Sequence, residues 1–78
     1  MMLTVYTTWQ ATRTSPAVET RKVFHDWTTA RRHALQTACL AGARYVTLCV
    51  GSDEVVHGEW DRYTNRWREY MRPGGTEF

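Results

Sequence analysis

Only one stretch of this chain carries helical periodicity, and it lies between two blocks that alternate like strands. From Trp27 the apolar positions recur at Ala30, Ala34, Leu35, Ala38 and Ala41. Those steps of three and four draw one stripe along a helix of about four turns. Asp26 stands just before it, where a carboxylate can accept the free N–H groups of a helix start and meets the positive end of the dipole. Gly42 closes the stretch, in the place where a left-handed residue is commonly needed. The stripe is mostly Ala, so the helix can lie close against a sheet. The other face, with Arg31, Arg32, His33, Gln36 and Thr37, is expected to be wet.

The flanking blocks read as strands. Residues 3–10 (LTVYTTWQ) are rich in β-branched and aromatic side chains, with Leu3, Val5, Thr7 and Trp9 on one face. Residues 11–17 collect Thr, Ser and Pro and form a loop. A second strand over 18–25 is the hairpin partner of the first. After the helix come strands over 44–50, 54–61 and 66–71, separated by turns at 51–53 and 62–65, with Gly58 marking a bulge. The expected fold class is α+β, of order ββαβββ: one curved, antiparallel, five-stranded sheet with a single helix packed on one face. Residues 1–72 make a single domain and 73–78 a short C-terminal tail.

At 78 residues there is room for one core, which buries only about 60% of the surface that the unfolded chain exposes. A cofactor domain beside a substrate domain does not fit. The formal net charge of +2 excludes an acidic mimic of nucleic acid. Nine of the ten basic residues are Arg, whose planar fork of donors suits phosphate and carboxylate. The first ten residues lack a basic segment followed by an apolar block, so no signal peptide is expected. No run reaches the roughly 18 apolar residues that span a membrane. Cys39 and Cys49 have neither zinc-ligand spacing nor a redox motif and read as small buried hydrophobes in a reducing cytoplasm.

A search for chemistry finds little. His25, His33 and His57 fall on a strand, the helix and another strand, without metal-ligand spacing. Cys49 lies among apolar residues, where a thiol has no source of activation. Asp53 and Glu54 occupy an exposed turn. No catalytic residue, cofactor or metal is expected, and the chain does not read as an enzyme. What remains is surface. In the last strand Arg66, Arg68 and Tyr70 point outward while Trp67, Glu69 and Met71 face the helix. On the helix Arg31, Arg32 and Gln36 lie within one turn, with no acid nearby on that helix. The bland alternative is a solvated outer face built of good helix formers. The sharper reading joins the two groups into one cationic docking surface.

The helix and the closing strand together resemble a known family. Ala30-Arg31-Arg32-His33-Ala34, continued by Cys39 and Gly42, has the form A-[KR]-R-x-A-x-x-x-x-C-x-x-G, with Arg66-Trp67 some 24 residues later. On the ββαβββ order and in a chain of this length, the pattern is similar to small phage anti-CRISPR proteins that inhibit type I (I-F or I-C) Cascade surveillance complexes. The resemblance covers nearly the whole layout and about ten residue identities. It implies an inhibitor that grips the Cascade backbone subunits and blocks guide RNA–target DNA pairing in the cytoplasm of an infected bacterial host. Matched position by position, it implies Arg31, Arg32, Gln36 and Arg66 as gripping residues, and Trp67, Ala30, Ala34 and Cys39 as core. Leu35 in place of a small polar residue, with Leu40 on the flank, makes the surface greasier than the family's. A monomer is the first expectation, and that flank leaves a homodimer open. The alternatives are a small basic module that binds double-stranded DNA non-specifically through phosphates, and a phage protein that binds another host protein.

Overall fold

Asp26 adopts an extended backbone (φ −128°, ψ 129°), and its Oδ2 accepts from the N–H of Thr29 at 2.8 Å and from its hydroxyl at 2.9 Å. This N-cap starts the helix where the apolar period changes from two to 3.6. The structure, a computed structural model, describes residues 2–70. Its elements are β1 (Leu3–Trp9), β2 (Val18–Phe24), α1 (Trp27–Ala38), β3 (Ala43–Val50), β4 (Val55–Asp61) and β5 (Arg66–Glu69). They form one open antiparallel sheet of order β2-β1-β3-β4-β5, with α1 across one face. This is the expected ββαβββ fold of the α+β class. The expected end of the last strand at Met71 and the tail 73–78 lie outside the described residues. No helix among the described residues is long and apolar enough to cross a membrane.

The core is thin. Ala30, Ala34 and Ala43 are fully buried, and the largest fully buried side chains are only Leu3, Leu48, Val5 and Val46. Small helix residues let α1 approach β1 and β3 closely, and the helix also touches β2. Beyond it, β4 and β5 are roofed on that face by the indoles of Trp60 and Trp67. Trp67 lies across Gly58, where an added Cβ would meet the indole at 2.5 Å. The glycine expected to mark a bulge therefore serves a close approach. The bulge itself falls one residue earlier: Leu48 pairs with Gly58 and Cys49 with Val56, which leaves His57 as the extra residue. A second irregularity leaves Arg44 between Ala43 and Tyr45, the residues that oppose Trp9 and Thr8.

Three expectations for the helix need correction. The helix ends at Ala38, three turns long, instead of running on to Gly42. Cys39 caps it, and a further tight turn follows, with Leu40 N–H donating to Thr37 and Ala43 N–H to Leu40. Gly42 (φ 90°) then redirects the chain into β3. Thr37 is buried and Arg31 and His33 are half-buried, where all three were expected to be wet. Thr37 lies seven residues after Ala30 and three after Ala34, so the same spacing that places the alanines carries it inward. His33 packs against Phe24 with ring centroids 5.1 Å apart and the ring planes tilted by 45°. Cys39, read as core, is exposed because the helix has already ended; Cys49 is buried as expected.

Candidate functional site

Alternation along β5 sends Trp67 and Glu69 to the helix side and Arg66 and Arg68 to the open side. Glu69 therefore meets α1, where its Oε1 accepts from Arg31 Nε and, at 2.8 Å, from Trp67 Nε1. Between α1 and β5 lies a groove of about 660 Å³, lined by Trp27, Thr28, Arg31, Arg32, Leu35, Gln36 and Glu69. Arg32 and Gln36 are exposed on its rim, and Leu35 is half-buried in its wall. The sequence-predicted helix residues Arg31, Arg32 and Gln36 are thus brought together, with one carboxylate among them. Leu40, the other part of the apolar flank, is 53% exposed beyond the end of the helix.

The strand residues are elsewhere. Arg68 points to the open sheet face, where its guanidinium pairs with Glu59 at 3.2 Å and Asp61 at 3.4 Å. Arg66 is the register partner of Asp61 on that same face. The expectation of one cationic surface made by the helix and the closing strand is therefore corrected. The two groups lie on opposite faces of the sheet, and one arginine of each is already held by the chain's own carboxylates. A two-residue side-chain period in β5 allows no other outcome once Trp67 is drawn into the core.

The rest of the open face is a mixture of hydroxyls, aromatics and acids. Tyr6 donates its hydroxyl to Glu54 and Tyr70 to Glu59. Each phenol's pKa is raised, first by that hydrogen bond to a carboxylate. Asp61 is held below the usual carboxylate range, chiefly by the Thr64 N–H at 2.7 Å. Burial pushes the Cys49 thiol up, as for a packed side chain and not for a nucleophile. Among the described residues, no cluster of three ligating side chains could hold a metal ion.

A third group of cations was missed in the sequence. Arg13, Arg44 and Arg62 come together with Gln10, Tyr45 and Tyr63 around a depression of about 330 Å³ at one end of the sheet. The strand order carries the signal. In an antiparallel sheet the end of β1, the start of β3 and the end of β4 share one rim, and each bears one of these residues or leads into it. Comparison with known proteins adds nothing to these observations: no protein-family model matches the chain, and no curated protein and no solved structure matches it.

Proposed function

We propose that the chain is a docking inhibitor of the anti-CRISPR kind. In this reading it acts as a monomer in the cytoplasm of an infected bacterial host, without cofactor or catalysis. It seats the exposed flank of α1 on the backbone subunits of a type I Cascade complex and so blocks guide RNA–target DNA pairing. The observation that carries the reading is the groove beside α1, where Arg31, Arg32 and Gln36 stand together on a rigid helix. Arg32 is exposed and makes no close ion pair with a described carboxylate, Asp26 feeling its charge only at longer range. Gln36 offers a donor and an acceptor one turn along. The A-[KR]-R-x-A pattern of this same helix turn supports the choice of partner. Arg66 and Arg68 lie on the other face and are not part of this contact.

The test is retention of purified type I-F and I-C surveillance complexes by the immobilised chain, followed by target-DNA capture in its presence. Retention with capture abolished is expected. Arg32→Glu combined with Gln36→Ala should lose retention while leaving the melting temperature unchanged, since both side chains are exposed. Uninterrupted capture at saturating protein, with neither complex retained, overturns the reading. Retention of bare duplex at physiological salt would favour non-specific double-stranded DNA binding instead.

A further inference from the structure

We propose that the arginine–tyrosine cluster at the rim of the sheet, formed by Arg13, Arg44, Arg62, Tyr45 and Tyr63, is a binding site for single-stranded nucleic acid. The site is separate from the α1 groove and does not depend on it.

The first argument is charge that stays uncancelled. Arg44 donates from Nε to the Gln10 carbonyl at 3.1 Å. Arg62 donates from Nε to Ala43 at 3.0 Å and from a terminal amino group to Leu40 at 2.8 Å. Carbonyl oxygens satisfy donors and fix the side chains, but they leave each guanidinium its full charge. No carboxylate pairs with Arg13, Arg44 or Arg62 among the described residues. The nearby acid, Asp61, is the register partner of Tyr45 and is engaged by Thr64 and Arg68.

The second argument is preorganisation. Arg44 is the extra residue where the β1–β3 register slips, the kind of bulge that re-aims a side chain. Arg62 stacks on the Trp60 ring, 4.9 Å from its centroid. The loop bearing Arg13 is tied down by Gln10, whose side-chain amide donates to the carbonyls of Ser15 and Arg13 at 2.8 and 3.3 Å. The guanidinium groups of Arg44 and Arg62 are therefore set in place before a ligand arrives, and of the three arginines only the Arg13 side chain is left to order on binding.

The third argument selects the ligand. Tyr63 is 96% exposed and Tyr45 57% exposed, two aromatic faces offered to solvent beside fixed cations. Phosphate alone, or the outside of a duplex, would use the arginines and leave the rings idle. Unstacked bases use both, because a base can lie on a tyrosine while its phosphate meets a guanidinium.

Fluorescence anisotropy of labelled 12-nucleotide dT and rU strands, titrated with the full chain at 50 and 200 mM salt, tests the site. Binding of either strand is expected, with the tighter one identifying the natural sugar. The logarithmic salt slope should be near −2, for about three phosphates at roughly 0.7 each. Tyr63→Ala should weaken binding about tenfold, within the range measured for loss of one stacked base. Arg13→Ala should weaken it and flatten the salt slope. Lys22→Ala, which removes the same charge on the far edge strand, should change little. Both site residues are exposed, so circular dichroism melts should match the parent and separate loss of binding from loss of fold. Three results overturn the proposal: no single-strand binding at 50 mM salt, affinity indifferent to Tyr63→Ala, or a polyglutamate peptide or duplex of equal length binding as well as the single strands.

Discussion

Arg31 on α1 and Arg68 on β5 carry the same charge as Arg44 and Arg62 at the sheet rim, in opposite company. Arg31 and Arg68 face Glu69, Glu59 and Asp61, whereas Arg44 and Arg62 face main-chain carbonyls. A carboxylate partner holds the guanidinium and cancels it; a carbonyl partner holds it and leaves its field intact. Counting basic residues along the sequence cannot make that distinction. The contrast also separates two kinds of structural worth. Exposed ion pairs contribute little to stability, while charge-assisted bonds to partly buried carbonyls contribute more.

The largest effect should come from the rim. Arg62→Ala removes the donors to Ala43 and Leu40 and the stack on Trp60, and should cost about 2–3 kcal/mol in urea unfolding. A variant as stable as the parent would break the comparison at its stronger side. Glu69→Gln should come next, at about 1 kcal/mol, because it uncouples Arg31 and weakens the acceptor of Trp67 Nε1. Arg68→Ala, which removes two exposed pairs, should cost less than about 1 kcal/mol, and the difference should shrink further in high salt. If Arg68→Ala proves more damaging than Arg62→Ala, the contrast is inverted.

Acid sharpens the same comparison, because it removes carboxylate partners and leaves carbonyl partners untouched. Asp26 and Asp61 have pKa values below the ordinary 3.8, through the N–H groups of Thr29 and Thr64 first. Their contribution is present above 3.8 and is lost as pH falls through the folded values. His33 adds a step of the same sign at higher pH. Burial, then the charge of Lys22, lowers its pKa below 6.5. The unfolded chain therefore takes up this proton first, and stability declines as pH falls from 6.5 toward the folded value. Thermal melts from pH 8 down should show the upper step below 6.5 and the onset of the lower one below 3.8, and His33→Gln should remove the upper one alone.

The fold was legible because each element has its own period: alternation over 3–9, steps of three and four from Trp27, alternation again from Ala43. The cap at Asp26 and the inward faces of β1 and β5 follow from the same rule. The helix end was not legible, because Leu40 and Ala41 continue an apolar pattern that a tight turn at Cys39 in fact interrupts. The candidate site was legible only in part. Spacing alone brings Arg31, Arg32 and Gln36 together, but the pairing of Arg31 with Glu69 joins residues 38 apart in sequence. Arg44 owes its direction to a bulge, and no local pattern announces one.

The seating of Trp67 over Gly58 sets a rule for how this molecule can vary over time. Position 58 can gain a side chain only after the indole at 67 has been replaced by something smaller. Losing the indole first opens a void beside Trp60 that a residue at 58 must then fill. The two sites are thus bound to drift as a couple, and in any lineage of related chains a bulky residue at one should keep company with a small one at the other.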